Sequence, residues 1–235
     1  MTLGTGIYTP YEAAMLLRED TSTVRRWAFG YHRNRPGKGR SWHPPLIHTD
    51  LPELEGEKAL TFVELIELLY IRAFEQAGVP WDAIREAANV AARMYKTDHP
   101  FALRQVYADP RSLYASVQET DGSESLVQLV GHGQHTIPEL IKPYLEQLEF
   151  DLNDVASRWW PLGRLGGVVV DPRHAFGAPV IAEVGIRTKV LSDAYYAERD
   201  LYGEEEALNR VAWVYEINPN HVETALQFKH WLQAA

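Results

Sequence analysis

Apolar residues at helical spacing predict a helix, a turn and a second helix at the start of the chain. Thr9 followed by Pro10 is a typical helix start, because threonine caps free backbone amides and proline fits the first helical position. The apolar face of this first helix consists of Ala13, Ala14, Leu16 and Leu17. After a tight turn, Thr21 or Ser22 is expected to cap a second helix that runs to about Phe29.

A stretch rich in glycine, proline and arginine, residues 30–45, separates these helices from two more. Its composition predicts a loop, and residues 46–48 are interpreted as a short strand that would complete a wing-like hairpin. Thr61 is then expected to cap a helix with apolar positions at Phe62, Leu65, Ile66 and Leu69. Residues 78–80 end that helix, and Trp81 begins the next.

The hydrophobic period changes in the middle of the chain. Short apolar runs predict three strands, at residues 105–107, 113–117 and 126–130. An apolar stripe predicts a helix over residues 137–148. Three more helices are predicted at about residues 188–199, 204–216 and 219–232. Asn218 as cap and Pro219 in the first position mark the start of the last one.

These elements predict a mainly α protein of the α+β class with three parts. Residues 1–103 are interpreted as a winged helix-turn-helix domain. Residues 104–165 would form a small central β-sheet with a helix. Residues 166–235 would form a C-terminal helical domain with its own helix-turn-helix.

Composition excludes several classes of protein. The chain has 235 residues, of which 46% are hydrophobic, so it can bury a sizeable core. It contains no run of 18 apolar residues, and its first residues lack the pattern of a secretory signal. The absence of cysteine excludes disulfides and cysteine-based zinc sites and fits a reducing compartment. A cytoplasmic protein with no membrane partner is expected.

Positive charge is concentrated where the helix-turn-helix pattern lies. Residues 18–48 hold seven lysines and arginines against two acids, although the formal net charge of the chain is −9. This is the electrostatic signature of a DNA contact, and the second helix of such a motif enters the major groove. The alternative is a solvated basic helix on an ordinary helical domain.

Hydroxyl groups suit phosphates, and arginine suits guanine or phosphate. The side chains predicted to contact DNA are therefore Thr21, Ser22, Thr23, Arg25 and Arg26 on the helix and Arg33, Arg35, Lys38 and Arg40 on the loop. Val24 and Trp27 are expected to face the core.

Histidines and carboxylates suggest no further chemistry. His32, His43 and His48 lack the close spacing of helical metal ligands, and we interpret them as scattered loop residues. No catalytic arrangement is recognisable, so we expect a protein that is not an enzyme and that needs neither a metal nor another cofactor.

Residues 6–95 resemble a MerR-type winged helix-turn-helix domain. The stretches that carry the resemblance are Tyr8-Thr9-Pro10-Tyr11-Glu12-Ala13-Ala14, Ser22-Thr23-Val24-Arg25-Arg26-Trp27 and Thr61-Phe62-Val63-Glu64-Leu65-Ile66-Glu67. The last stretch is similar to the helical pair that follows the wing in this family.

The C-terminal part, about residues 168–235, resembles a small helical antitoxin family found beside PIN-type toxins. The matching stretches are Phe176-Gly177-Ala178-Pro179-Val180-Ile181, Gly185-Ile186-Arg187-Thr188 and the run from Tyr215 to Leu226. The order of the two domains and the connector Trp159-Trp160-Pro161-Leu162-Gly163 resemble those of larger VapB-type antitoxins.

Together the resemblances imply an antitoxin that neutralises a PIN-type (VapC-like) ribonuclease and represses its own operon by binding operator DNA as a homodimer. PIN nucleases work through acidic residues and magnesium, so neutralisation would block that site or its substrate path. The acidic C-terminal two-thirds of the chain would suit a basic, RNA-binding toxin. The alternative hypothesis is a stand-alone MerR-like transcription regulator that responds to a small ligand.

Overall fold

The computed structural model describes residues 5–35, 39–53, 56–108 and 143–234. The chain forms two compact units. The N-terminal unit comprises Tyr8–Glu146 and Phe150–Ser157, and the C-terminal unit comprises Met1–Ile7, Gln147–Glu149 and Arg158–Ala235. The predicted division at residues 1–103, 104–165 and 166–235 stays a prediction.

Helices dominate the described part of the chain, which confirms the predicted mainly α fold of the α+β class. The helices are α1 (Pro10–Leu17), α2 (Thr21–Phe29), α3 (Phe62–Gln76), α4 (Trp81–Tyr95), α5 (Arg104–Ala108), α6 (Thr188–Tyr202), α7 (Glu204–Val214) and α8 (Pro219–Gln233). The strands are β1 (Ile7–Tyr8), β2 (Tyr31–Arg35), β3 (Gly39–His43), β4 (Leu60–Thr61), β5 (Leu148–Phe150), β6 (Ala156–Trp159), β7 (Val168–Val169) and β8 (Val180–Ile181). The strands pair in twos: β1 with β4, β2 with β3, β5 with β6 and β7 with β8.

The first helix begins as its sequence predicts. The Thr9 hydroxyl accepts a hydrogen bond from the Glu12 amide at 3.2 Å, and the Glu12 carboxylate accepts one from the Thr9 amide at 2.8 Å. This reciprocal cap satisfies two amides that the helix leaves free. All four residues of the predicted apolar face are buried.

The start of α2 differs from the prediction by one residue. Asp20, and neither Thr21 nor Ser22, is the cap, with extended backbone angles and no side-chain hydrogen bond to the helix. Its carbonyl accepts hydrogen bonds from the amides of Thr23 and Val24, so Thr21 is already the first helical residue.

The wing is a regular hairpin, and this corrects the predicted loop. Strands β2 and β3 pair antiparallel from Tyr31 opposite His43 to Arg35 opposite Gly39. The predicted strand at residues 46–48 is wrong. Leu46 and Ile47 are buried, and the Leu46 amide donates to the Trp27 carbonyl at 2.7 Å, so this segment packs against the end of α2.

Helices α3 and α4 supply a large share of the N-terminal core. Thr61 caps α3 as predicted and exchanges hydrogen bonds with Glu64 in the same way as Thr9 and Glu12. Helix α3 is buried along most of its length, and α4 begins at Trp81 as predicted.

The central prediction is partly wrong. Residues 105–107 lie in α5 and not in a strand. Val106 is fully buried, and the residues next to it in sequence are polar. A single apolar position fits a short helix as well as a strand. The strands predicted at 113–117 and 126–130 lie outside the described residues. Of the helix predicted at 137–148, residues 143–147 are helical, and Leu148 begins β5.

In the C-terminal unit, all three predicted helices are present. Helix α8 starts as predicted, because the Asn218 side chain accepts a hydrogen bond from the Asn220 amide at 2.9 Å. The core of this unit includes Val168, Ile181, Leu191 and Phe228. No helix within the described ranges is both long and apolar enough to cross a membrane.

Candidate nucleic-acid interface

Helix α2 presents one face to the core and the other to solvent. Val24 and Trp27 are completely buried, which confirms the predicted core face. On the opposite face Ser22 and Arg25 are exposed, while Thr21 and Thr23 are half-buried. Ser22 and Arg25 are three residues apart and therefore neighbours on the helix surface.

The two adjacent arginines of α2 have different environments. Arg26 donates from Nε to the Ser22 carbonyl at 3.2 Å and from its terminal nitrogen to the Thr23 hydroxyl at 2.9 Å. Its guanidinium also lies over the rings of Tyr31 and Trp81, with 6.0 and 5.8 Å to the ring centroids. Arg26 thus connects α2 to the wing and to α4.

Arg25, in contrast, makes no side-chain hydrogen bond or ion pair with any described residue. Its guanidinium keeps all its donors available for an external acceptor, and arginine offers five of them in a planar fork. Among the residues predicted on α2, Arg25 is therefore the one whose side chain is best placed to contact a nucleic acid.

The arginines of the wing lie on opposite faces of the hairpin. Arg33 is opposite Ser41, and Arg40 is opposite Asn34. Directly paired residues share a face and successive residues alternate, so Arg33 and Arg40 point to different sides. Both are exposed. Arg35 is the last residue of β2, and Lys38 lies outside the described residues.

Aromatic side chains form the base of the wing, which the sequence analysis missed. The rings of Tyr31 and His43 stack with centroids 4.7 Å apart, and those of His32 and Trp42 lie 4.8 Å apart on the other face. Trp42 is 52% exposed. The signal in the sequence was a Tyr-His pair and a Trp-His pair flanking one arginine-rich stretch, which is typical of cross-strand partners.

Two hydrogen bonds hold the segment after the wing in place. One is the bond from the Leu46 amide to the Trp27 carbonyl, and the other runs from the Arg85 guanidinium to the Pro44 carbonyl at 3.2 Å. The segment that follows the hairpin is therefore attached to the C-terminal end of α2 and to α4.

A partly buried charged cluster is formed by Asp50, Glu64, Glu67 and His99. The His99 ring hydrogen-bonds Glu67 through Nδ1 at 2.9 Å and Asp50 through Nε2 at 3.1 Å. Glu64 accepts hydrogen bonds from the amides of Asp50 and Thr61. Glu64 and Glu67 are almost completely buried.

The electrostatics of this cluster favour a protonated His99. Burial opposes the charge on His99, but hydrogen bonds and attraction from Glu67 and Asp50 outweigh it and raise the pKa of His99 to about 9. Burial also raises the pKa of Glu67 and of Glu64, against the lowering effect of their hydrogen bonds.

The ligand atoms of Asp50, Glu64 and His99 lie within 4.8 Å of one another, a spacing that a metal ion could occupy. Both nitrogens of His99 are already hydrogen-bonded to carboxylates, however, so the cluster serves as an internal ion-pair network. Of the histidines considered from the sequence, His32 and His43 contact aromatic rings, and His48 lies 3.9 Å from Asp50.

The N-terminal region matches a known domain. Residues 6–88 fit the family model described as "Putative DNA-binding HTH domain". This range contains α1, α2, the wing and α3, which are the elements that present Arg25 and the wing arginines.

The chain also has a curated relative and a solved structural neighbour, both from Mycobacterium tuberculosis. It is 31% identical over 190 residues to "Putative antitoxin VapB45", covering 77% of this chain and 79% of the relative. It resembles the X-ray crystal structure of Rv2018 with a TM-score of 0.70 and 26% identity, over 96% of this chain and all of that one. The chain therefore belongs to the VapB45 antitoxin family and carries a DNA-binding helix-turn-helix domain at its N-terminus.

Proposed function

We propose that this protein is the antitoxin of a PIN-type (VapC-like) ribonuclease and that it represses the operon encoding both proteins by binding operator DNA. The observation that carries the DNA-binding part is the exposed Arg25 on α2, which has no side-chain partner among the described residues and lies beside a basic hairpin. The MerR-like character of this domain is part of the proposal.

The predicted DNA-binding residues take different roles in this proposal. Ser22 and Arg25 contact the major groove, with Thr21 and Thr23 at its edge. The wing side chains Arg33, Arg35, Lys38 and Arg40 contact the phosphate backbone. Arg26 is a positioning residue, because two of its donors are hydrogen-bonded within α2 and its guanidinium lies over two aromatic rings of the domain.

Charge supports a protein partner for the C-terminal part of the chain. Residues 166–235 carry six lysines and arginines against ten acids. A net negative surface repels phosphates and attracts a basic protein. An RNA-cleaving toxin needs basic side chains along its substrate path, so its charge is complementary to that of the acidic C-terminal part.

The operator should be read by a homodimer. A helix-turn-helix protein with one recognition helix covers one half-site, and two-fold symmetric protomers cover two half-sites about one DNA turn apart. We expect an inverted repeat in the promoter of the operon.

The test is co-expression of the chain with the product of the adjacent gene, followed by purification, a ribonuclease assay and a gel shift on the promoter at two salt concentrations. A stable complex with suppressed ribonuclease activity and a salt-sensitive shift is expected. A shift without any complex would contradict the antitoxin role and favour the ligand-responsive regulator. A complex without a shift would contradict autoregulation.

A further inference from the structure

Helix α7 in the C-terminal unit carries a large apolar side chain in solvent. Ala207, Val211 and Ala212 face the core, whereas Trp213 is 82% exposed and Val214 is 62% exposed. Glu206, Arg210 and Trp213 follow one another at helical spacing and share the outward face. An exposed tryptophan beside a second apolar residue marks an interaction site more often than chance exposure does.

Tyr202 at the end of α6 extends this surface. The Arg210 guanidinium lies 3.9 Å from the centroid of the Tyr202 ring, and Arg210 Nε donates to Glu198 at 2.6 Å. Tyr202 is half-exposed. Arg210 therefore holds the tyrosine ring beside the outward face of α7. We call the surface formed by Tyr202, Arg210, Trp213 and Val214 the Trp213 patch.

The surroundings of the Trp213 patch carry uncompensated negative charge. The nearby arginines are paired, Arg199 with Asp200 and Arg210 with Glu198. The exposed acids on α7 and just after it make no ion pair with the described part of the chain; they are Glu204, Glu205, Glu206 and Glu216. Glu204, Glu205 and Glu206 also interact favourably with the positive end of the α7 dipole. Their carboxylate oxygens face solvent and can still bind a partner.

This combination selects the kind of partner. A nucleic acid is excluded, because its phosphates would face the carboxylates. A second copy meeting this surface across a two-fold axis would place like acidic patches against each other. A basic protein with an apolar hollow fits both the charge and the tryptophan, and tryptophan, tyrosine and arginine are the residues that dominate interface energies.

Resting on the function proposed above, we infer that the Trp213 patch is the toxin-binding surface. Trp213 inserts into the toxin as the central anchor. Glu204, Glu205 and Glu206 bind the basic side chains that line the RNA path and so compete with the phosphates of the substrate.

The test uses the full chain and the PIN-type product of the adjacent gene. Trp213→Ala should weaken the complex at least about thirtyfold, as expected for an interface anchor, and restore ribonuclease activity. Replacing all three glutamates by glutamine should weaken the complex and reduce its salt dependence. Leu165→Ala is the matched control, because Leu165 is fully exposed in the same unit, and it should leave toxin affinity unchanged.

The possible failures are distinguishable. If the unmodified chain does not bind the toxin, the proposed function is wrong and this inference is lost with it. If the unmodified chain binds but Trp213→Ala binds equally well, only the assignment of the surface is wrong. If Trp213→Ala converts a dimer into a monomer and still binds the toxin, the patch is a self-association surface instead. An unchanged melting temperature confirms that the variants fold.

Discussion

At the scale of single residues, Arg25 and Arg26 show how neighbours in sequence acquire separate roles. Arg25 has no internal partner among the described residues, whereas Arg26 is bonded to Ser22 and Thr23 and lies over two aromatic rings. We therefore expect Arg25 to contribute to DNA affinity and Arg26 to contribute to the stability of the domain.

We expect Arg25→Ala to weaken operator binding by about 1–3 kcal/mol without changing the melting temperature. Arg26→Ala should lower the stability by about 1 kcal/mol, since it removes two hydrogen bonds and two aromatic contacts. Fluorescence anisotropy with labelled operator and thermal unfolding measure the two effects. Equal effects of both substitutions on both quantities would contradict this separation of roles.

His99 predicts how stability varies with pH. Its pKa is about 9 in the folded protein and 6.5 ordinarily, so the folded state holds the proton more tightly. The contribution of His99 to the free energy of unfolding is fully present below pH 6.5 and is lost as the pH rises through 9. Burial raises the pKa of Glu64 and Glu67, and these two groups also weaken the folded state as pH increases.

Stability should therefore fall by up to about 3 kcal/mol between pH 6.5 and pH 9. Chemical denaturation at a series of pH values measures this change. His99→Gln should reduce the stability at pH 6.5 and flatten the dependence above it. A variant with the slope of the original chain would show that another group is responsible.

At the scale of elements, the wing depends on Gly30. The residue has φ of +70°, and a Cβ placed on it would lie 2.6 Å from the His43 carbonyl oxygen and 2.7 Å from the Trp42 ring. The chain can turn from α2 into β2 only because this position has no side chain. Gly39 at the start of β3 has a similar φ of +79°, but no atom of the described residues lies within 4 Å of its Cβ position.

The pair allows a matched experiment. Gly39→Ala should cost only the strain of a left-handed residue, about 1–2 kcal/mol. Gly30→Ala should cost more than Gly39→Ala and should also weaken operator binding, because the hairpin must move away from α2. Melting temperatures and operator affinities of the two variants give the comparison. Equal losses would mean that the close approach at Gly30 is relieved without moving the wing.

The starts of three helices were predictable from the sequence, because capping depends on neighbouring residues alone. Thr9, Thr61 and Asn218 each make the hydrogen bonds that their types suggest. A wing-like hairpin was predicted, but its strand was placed at residues 46–48 and not at β2 and β3, where Tyr31 also contacts a distant residue, Trp81 on α4. The charged cluster was also missed, because His99 and Asp50 lie 49 residues apart in sequence.

The roles of residues in the candidate DNA site likewise depend on contacts that the sequence alone does not predict. Residue types and charge identified Arg25 and Arg26 together, but only the packing of Arg26 against Tyr31 and Trp81 separates the two. Alternation along β2 and β3 likewise separates Arg33 from Arg40, and it becomes visible only once the hairpin register is known.

At the scale of the whole molecule, a basic segment is embedded in an acidic protein. Residues 18–48 hold seven cationic and two acidic residues in a chain with a net charge of −9. Association with DNA at other surfaces is therefore unfavourable, and binding should depend on salt through the few phosphate contacts of this segment.

For a dimer, Arg40→Ala removes two cationic side chains of the wing from each operator complex. If these contact phosphates, the slope of log affinity against log salt should become less steep by about 1.8, at roughly 0.9 for each lost contact. Operator titrations over a range of salt concentrations, with the protein-to-DNA ratio measured at saturation, give the slope and the stoichiometry. A decrease of about 0.9 would indicate that one protomer binds.

The different environments of Arg25 and Arg26 also bear on how related toxin–antitoxin pairs can diverge. Ser22 and Arg25 face solvent, so under the proposed DNA contact their replacement would change the DNA sequence that is read without removing a buried side chain. A duplicated operon can therefore acquire a new operator by drift at these two positions while Arg26, Tyr31 and Trp81 stay fixed. Under this proposal, a few substitutions at exposed positions are enough for several such pairs in one cell to be regulated without binding each other's operators.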